Sequence, residues 1–343
     1  MKSHTDIYII GKQGNFIRVL WFCLWCLFVF RSFVCNAQEE QQAFEPIKIQ
    51  RFDKALFTFI TTESEQSKAH LLETYPKMLD VLGMGVLNQK SHKEEVFFER
   101  VKSYYGEPTL RSLYQDALSE YDTMTDIESE LSLGLAQLKQ FFPQIQMPTV
   151  YAHVSGLHQN VLTAEGVLSL SIDKYIGEGY KLYSEFFYET QRRKMQRSFA
   201  ALDYLAGWLM SEFPFTGNQK ILLDRMIYDG AVKYVLSLVY PNKEEHELFA
   251  YTPAELAWCE NNEELIWKYI IDQKNLFTAD EQTTMKYMME RPCKFIHPNT
   301  PSNIGAWIGL QIVKDYCEED STKLLSLFQK TAQEVLMDSN YQP

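Results

Sequence analysis

The stretch LLDRMIYDGAVKYV, residues 222–235, carries acidic side chains in a setting that raises the question of a metal site. Its apolar residues recur at helical spacing, so Asp224, Asp229 and Lys233 fall on other faces of a predicted helix. In many zinc peptidases a helix of this kind carries an acid followed by glycine, and two histidines one helix earlier complete the site. The stretch therefore predicts a zinc site only if the preceding helix supplies those histidines.

The preceding predicted helix, MQRSFAALDYLAGWLMSEF, contains no histidine. A zinc peptidase needs two neutral imidazoles at i and i+4 on one helix, with a glutamate beside the first to activate water. The one His-Glu pair, His246 and Glu247, is followed by Ala250 at the second ligand position. We therefore expect no metal and no cofactor, and a helix pair that resembles a metallopeptidase scaffold without its metal site, by analogy only.

The histidines and acids elsewhere in the chain raise the question of other catalytic sites. His153 and His158 flank a predicted turn and could form an improvised metal site with Glu165 or Glu178, although histidines at strand edges are more often surface residues. The sequence has no G-x-S-x-G elbow and no Walker or dinucleotide glycine loop. A hydrolase that uses a pair of carboxylates stays open as an alternative, because acidic residues are numerous and their separations are unknown.

Residues 1–37 have the pattern of an export signal. Lys2, Lys12 and Arg18 precede the apolar run VLWFCLWCLFVF, whose 12 residues are too few to span a bilayer core about 30 Å thick. Cleavage after Ala37 would release a soluble protein, whereas lipidation of Cys35 would anchor it to a membrane. Both endings predict an exported, periplasmic protein, whose membrane contact is limited to that lipid anchor.

The charge balance and the cysteines exclude further classes. The formal net charge of the chain is −12 at pH 7, so nucleic acid is not expected as a partner, because phosphate binding needs clustered Lys and Arg. Outside the leader, Cys259, Cys293 and Cys317 are odd in number and irregular in spacing, which supports no cysteine zinc site. Three buried thiols are expected, with one disulfide plus a free thiol as the alternative.

The hydrophobic periodicity predicts a mainly α-helical α+β protein with a small antiparallel sheet. TVYAHVSG and GVLSLSIDKYIG alternate apolar and polar residues and are predicted as two strands, with LHQNVLTAE as the turn between them. IKIQRFD, residues 47–53, is predicted as a further strand. Residues 38–343 are expected to form a single domain, with a helical part at 54–143 and a part that carries most motifs at 148–343.

Three tryptophans each have a polar residue four positions away on a predicted helix: Trp258 with Asn262, Trp267 with Glu263, and Trp307 with Gln311. Such pairs fit a buried polar network or a groove for a glycan or peptide ligand. Gly305 and Gly309 bracket Trp307 and predict the close approach of another element. The predicted structural or binding network, in which Asp173 or Asp224 accepts from Trp or Tyr, comprises Asp173, Tyr175, Asp224, Tyr228, Trp258, Asn262, Trp267, Trp307 and Gln311.

From residue 148 onward the chain resembles the gliding-motility lipoprotein B (GldB) family. The motifs that carry the resemblance are VSGL, LSLSIDKYIGEGYKLY, LLDRMIYDGAVKYVLSLVYP, YTPAELAWCENNEELIWKYIIDQKNLF, SNIGAWIGLQIVKDY and SNYQP. IQRFDKALF also fits the family's opening. The resemblance implies an envelope protein, normally anchored through a lipidated cysteine, that is needed for gliding in species that glide and has no established enzymatic activity.

The chain departs from the family pattern at three places. The residues before Cys35 make a poor lipidation signal, and SEFFYETQR replaces a linker that contains proline. After the tyrosine that matches Tyr228, the family usually has Gly-Lys, whereas this chain has Asp229, Gly230 and Ala231. We expect a non-enzymatic envelope protein, accessory to gliding motility or to an envelope or secretion machinery through protein contacts. The alternatives are a metal- or carboxylate-dependent hydrolase and a glycan- or peptide-binding module.

Overall fold

The computed structural model describes residues 46–318 and 322–343, so the predicted export signal, Cys35 and Ala37 lie outside the described residues. In the described part of the chain, six helices precede most of the sheet and eleven follow it. A π-helical turn lies at Gly83–Leu87. The helices are α1 Phe52–Thr62, α2 Glu65–Thr74, α3 Pro76–Leu82, α4 Phe97–Tyr105, α5 Pro108–Glu120, α6 Thr125–Phe141, α7 Tyr183–Phe186, α8 Glu189–Arg192, α9 Ala200–Glu212, α10 Leu222–Val239, α11 Glu245–Phe249, α12 Pro253–Asn261, α13 Glu263–Asp272, α14 Glu281–Met288, α15 Ile304–Glu318, α16 Lys323–Ser326 and α17 Ala332–Ser339.

A four-stranded sheet joins the two helical parts. Its strands are β1 Ile49–Gln50, β2 Thr149–His153, β3 Val161–Ala164 and β4 Val167–Ser171, and they lie side by side in the order β1-β2-β4-β3. β1 pairs with β2 in parallel, β2 pairs with β4 in parallel, and β3 pairs with β4 antiparallel. The mainly helical α+β class with a small sheet is confirmed, and so is the strand predicted within residues 47–53.

The expectation of an antiparallel sheet is wrong for two of the three pairings. Residues 157–165 were predicted as a turn, but they contain β3, which folds back on β4 through a tight hairpin with Gly166 at φ 70°. Because β3 reverses the chain once more, β4 enters the sheet in the same direction as β2 and lies between β2 and β3. Only the pairing of β3 with β4 matches the antiparallel expectation.

Helices cover both faces of the sheet. On one face α9 lies against β3 and β4: the Tyr204 hydroxyl donates to the Tyr151 carbonyl at 2.6 Å, and Gly207 lies under Val161. On the other face Gly85 of the π-helical turn contacts Leu162. All five residues of β4 are buried, as expected for a central strand between two helical layers.

The closest helix contact in the described structure joins α10 to α15 through glycines. A Cβ atom on Gly309 would lie 1.8 Å from the Met226 carbonyl oxygen, and one on Gly230 would lie 2.2 Å from the Gly309 carbonyl carbon. The close approach predicted from Gly305 and Gly309 is therefore confirmed. Cys259, Cys293 and Cys317 are free and buried, which confirms the expectation of three buried thiols.

The glycine contact can be tested by adding one methyl group. In Gly309→Ala the new Cβ meets backbone atoms of α10, which cannot move aside as a side chain can, so we expect a loss of about 2–3 kcal/mol of unfolding free energy. Gly179→Ala is the matched control, because no atom lies within 4 Å of the added Cβ, and its stability should stay within about 0.5 kcal/mol. Urea denaturation of both variants gives the comparison, and equal stabilities would contradict the packing argument.

Candidate functional site

A group of charged side chains lies between α9 and α10, and we call it the charge cluster. α9 is apolar on the face that packs against the sheet, and its stripe of Asp203, Ala206, Gly207 and Met210 is not buried. Asp203 is half-buried, and its Oδ2 accepts a hydrogen bond from the Tyr175 hydroxyl at 2.5 Å. The members of the cluster are Lys194, Asp203, Arg225, Asp229, Lys233 and Glu290.

Ion pairs join two of the cluster's three acids, Asp229 and Glu290, to cations of the same cluster. Nη2 of Arg225 lies 3.1 and 3.2 Å from the two carboxylate oxygens of Asp229, one helical turn away on α10. Nζ of Lys194 donates to Oε1 of Glu290 at 2.8 Å. The cluster holds three cations and three acids, so its formal charge is balanced.

The electrostatic shifts in the cluster follow from burial and from the neighbouring charges. Burial raises the pKa of Asp203, and it raises the pKa of Asp229 despite the nearby Arg225. Burial also lowers the pKa of Lys233 to about 8; the positive charge of Lys194 lowers it further, whereas Asp203 and Asp229 raise it. The three groups therefore influence one another electrostatically.

Lys233 interacts electrostatically with both aspartates, and so does Lys194. Nζ of Lys233 donates to the Leu248 carbonyl oxygen at 2.5 Å and lies 5.3 Å from the centre of the Phe249 ring. Among the residues that the structure describes, no group of three or more His, Cys, Asp or Glu side chains could hold a metal ion. α9 and α10 thus bring together two acids, Asp203 and Asp229, and the ammonium group of Lys233.

The sequence did not predict that these charged residues lie together. Asp203 belongs to no motif, and the usable signal was a single acid within the otherwise apolar stretch FAALDYLAGW. Asp229 and Lys233 are an i, i+4 pair on α10, a spacing that brings side chains together on one helix face. Their relation to Asp203 depends on how two helices cross, which no local pattern encodes.

The structure places Asp173 in a second, separate polar site at the carboxyl ends of β2 and β4. Its carboxylate accepts hydrogen bonds from the backbone N–H groups of Ser155 and Leu157 at 3.0 and 2.7 Å, and from the Ser171 hydroxyl at 2.5 Å. Leu157 has φ 67°, a conformation that costs energy for a residue with a side chain. Asp173 therefore secures a strained loop, and its carboxylate accepts from Ser171 rather than from the expected Trp or Tyr.

Tyr175 connects this region to the charge cluster. It follows the 3₁₀ turn Ile172–Lys174 that comes after β4, is buried, and its hydroxyl donates to Asp203 on α9. The Tyr121 hydroxyl donates to the Tyr175 carbonyl oxygen at 2.8 Å, which ties α5 to the same point. Of the predicted network, Tyr175 alone contacts the charge cluster by a hydrogen bond in the described structure.

Trp307 and Gln311 meet at a third site, around Glu245 at the start of α11. Oε1 of Glu245 accepts from the Trp307 indole N–H at 2.7 Å and from the Gln311 amide at 3.0 Å, and Oε2 pairs with Lys314. Trp307 is only 1% exposed, so it belongs to the core. Glu245 could not be predicted from the sequence, because it lies in the polar stretch NKEEHELF, 62 positions before Trp307 in the chain.

The other two indoles are half-buried and lie in different contacts. Trp258 stacks on His297 with ring centres 5.4 Å apart, and the Asn262 amide donates to the Trp258 carbonyl. Trp267 packs edge-on against Tyr341, whose hydroxyl donates to Glu263. Because Trp307 is buried, the three indoles do not form one surface for a ligand.

Asp224 and Tyr228 line a cavity of about 190 Å³ at the start of α10. Asp224 accepts a hydrogen bond from the backbone N–H of Asn218 at 2.7 Å, and the Tyr228 hydroxyl donates to the Phe213 carbonyl at 2.8 Å. Neither contacts a tryptophan of the predicted network. Both side chains secure the turn that leads into α10.

The two histidines of the improvised metal site do not come together with a glutamate in a metal-binding group. His153 is fully buried on β2, where Nδ1 shares a hydrogen bond of 2.7 Å with the Ser169 hydroxyl, and burial lowers its pKa to about 3. His158 instead lines an apolar cavity of about 370 Å³ beside Glu107 and Phe186. His153 therefore stays neutral and structural.

Fold and site together define a mainly helical α+β protein with a charge-balanced cluster between two of its helices. The sequence profile of the family described as gliding motility protein GldB matches residues 35–343. The chain therefore belongs to the GldB family, as the resemblance indicated, and membership supports an association with gliding motility and with the cell envelope. No curated protein and no solved structure matches the chain significantly. None of the described helices is long and apolar enough to cross a membrane.

The electrostatic coupling within the cluster predicts a shift in the titration of Lys233. Asp203→Asn keeps an acceptor for Tyr175 but removes a negative charge that favours the protonated amine, so the pKa of Lys233 should fall below about 8. NMR titration of lysines labelled with ¹³C at Cε measures it. Asp224→Asn removes the same charge from α10, outside the cluster, and should leave the Lys233 titration unchanged. Equal titration curves in the two variants would show that Asp203 and Lys233 do not interact.

Proposed function

We propose that this protein is a non-enzymatic component of the cell envelope that acts through contacts with other envelope proteins. The observation that supports this proposal is the internal neutralisation of the charge cluster. Arg225 pairs with Asp229, Lys194 pairs with Glu290, and the ammonium of Lys233 interacts with both Asp203 and Asp229. Each acid of the cluster thus has a cation of the same chain nearby, so no buried charge is left that a ligand would have to neutralise.

The chemistry of hydrolysis gives a further reason. Hydrolytic sites activate water with a metal ion or with a carboxylate that is free to accept a proton. The Asp203 carboxylate already accepts from Tyr175, and Asp229 already pairs with Arg225. We also propose that α9 and α10 are a metallopeptidase-like scaffold without its metal: Asp229-Gly230 keeps the acid and glycine of such a helix, α9 lacks the histidines, and Lys233 supplies the positive charge.

The second candidate function is a carboxylate-dependent hydrolase centred on the same cluster. The observation that favours it is that Asp203, Asp229 and Lys233, whose pKa values are all shifted, lie together between α9 and α10, since such shifts concentrate at active sites. A carboxyl with a raised pKa can act as a general acid, and an amine with a pKa of about 8 can transfer protons near neutral pH. The two candidate functions differ in whether the cluster turns over a substrate.

A hydrolysis assay separates the two candidates. The purified protein, with chelator or with added zinc, is incubated with libraries of unstructured peptides and with bacterial cell-wall glycans, and products are detected by mass spectrometry. We expect no cleavage above a blank and no stoichiometric zinc binding. Cleavage that is lost in Asp203→Asn but kept in the control Asp224→Asn would overturn the proposal, and so would one tightly bound zinc ion per chain.

We further propose that the protein is exported to the periplasm, either released after Ala37 or anchored through Cys35, where the family match begins. Mass spectrometry of the protein isolated from its own cells should find a mature N-terminus at Gln38, or a diacylated Cys35, with the leader removed. The substitution Cys35→Ser should abolish membrane association in the second case and have no effect on it in the first. A cytoplasmic protein that retains Met1 would contradict export.

A further inference from the structure

The free edge of the sheet presents unpaired backbone groups. β3 is the last strand in the order β1-β2-β4-β3, and it pairs with β4 alone. The Ser171 N–H donates to the Asn160 carbonyl, so this pair exchanges hydrogen bonds, and the register makes Leu162 with Ser169 the next hydrogen-bonded pair. The N–H and C=O groups of Val161 and Thr163 must therefore point away from β4.

No described residue occupies these outward groups. No hydrogen bond joins the backbone of Val161 or Thr163 to another part of the described chain, and the Thr163 side chain is exposed. Native edge strands are commonly protected from pairing by being very short, by lysine, by proline or by a bulge. β3 is short, with the four residues VLTA, but it contains no lysine or proline and pairs in continuous register without a bulge.

α9 lies under this edge of the sheet and extends beyond it. Its unburied stripe includes Ala206, Gly207 and Met210, and a Cβ on Gly207 would lie 2.5 Å from Cγ1 of Val161, so the stripe begins directly under the strand. The side chains of Ala206 and Gly207 are small, and Met210 is 40% exposed. The result is a strip of incompletely buried, mostly apolar surface between β3 and the charge cluster, with Asp203 on the same stripe of α9.

The opposite face of the edge is also apolar. Gly85 contacts Leu162, and the adjacent Met84 is 60% exposed. An added strand would place alternate side chains over the incompletely buried stripe of α9 and near Met84, because successive side chains of a strand point to opposite faces. Both positions favour apolar side chains, and the balanced charge cluster gives no preference for a charged one.

We propose that β3 is a docking site for an extended peptide segment of an envelope partner, which adds to the sheet as a fifth strand beside β3. The segment pairs with the N–H and C=O groups of Val161 and Thr163 and lays an apolar side chain over Ala206 and Gly207. Main-chain hydrogen bonds give such a complex its affinity, and the pockets for alternate side chains give it specificity. This inference rests on the proposed function and names the surface and the chemistry of the partner.

The probe is a phage-displayed library of random 12-residue peptides, selected on the full chain. A selected peptide should protect the amide protons of Val161 and Thr163 from hydrogen exchange at least tenfold, whereas Leu162 is already protected in the free protein. Synthetic versions of the peptide, each N-methylated at one residue, should lose about tenfold or more in affinity at every second position only, because alternate amides face β3.

A pair of variants tests the site on the protein. Thr163→Pro removes one outward N–H and should weaken binding at least tenfold, because proline is tolerated at a free edge but cannot donate. Thr163→Val keeps the backbone donor and the branched side chain, so it should bind as the wild type does. Circular dichroism and the melting temperature establish that both variants fold; if Thr163→Pro does not, the N-methylation series decides.

The inference is overturned if no peptide is selected, if N-methylation shows no alternation, or if folded Thr163→Pro binds normally. The fate of the peptide separates this inference from the proposed function. A peptide that docks on β3 and stays intact on prolonged incubation supports both. One that docks on β3 and is cleaved supports the docking site but refutes the non-enzymatic role.

Discussion

The cost of removing charge from water is the constraint on which the arrangement around α9 and α10 depends. Burial raises the pKa values of Asp203 and Asp229 and lowers that of Lys233, so it favours the neutral form of each group. Their charges remain tolerable between two helices because opposite charges lie close by and because Tyr175 and the Leu248 carbonyl provide hydrogen bonds. An acid here without its cation would be a desolvated charge, which costs several kcal/mol.

That compensation requires α10 to be held in a fixed position. The contact between Gly230 and Gly309 holds α10 against α15, because a Cβ atom on either glycine would meet the backbone of the other helix. α9 is fixed to the sheet through Gly207 and through the hydrogen bond from Tyr204 to Tyr151. Asp203 and Lys233 are thus brought together by two helices that are anchored independently, one on the sheet and one on α15.

The same geometry leaves one face of α9 uncovered. Its buried face fills the space under β3 and β4, while the stripe that carries Asp203 and Gly207 stays half-open beside the edge of the sheet. The charge cluster therefore lies beside this stripe, and its ion pairs join residues of the same chain. The proposed role as a surface for a partner depends on this stripe.

The sequence by itself determined the helical content, the β1 strand, the glycine contact of α15 and membership in the GldB family. Helix periodicity, glycine spacing and family motifs are properties of residues that are near one another in the chain or lie in a fixed order. It also excluded a histidine zinc site on α9, because the required residues are absent there.

The tertiary structure decided the direction of β4, the hydrogen bond from Tyr175 to Asp203, the electrostatic interaction of Asp203 with Lys233, and the role of Glu245 at Trp307. The direction of β4 depends on whether the four residues VLTA form a strand, because that strand reverses the chain once more. Their short apolar pattern is too ambiguous to predict it. The side-chain partners are separated by 28 to 62 positions in the chain, so their meeting depends on how helices cross and on where the buried surfaces fit together.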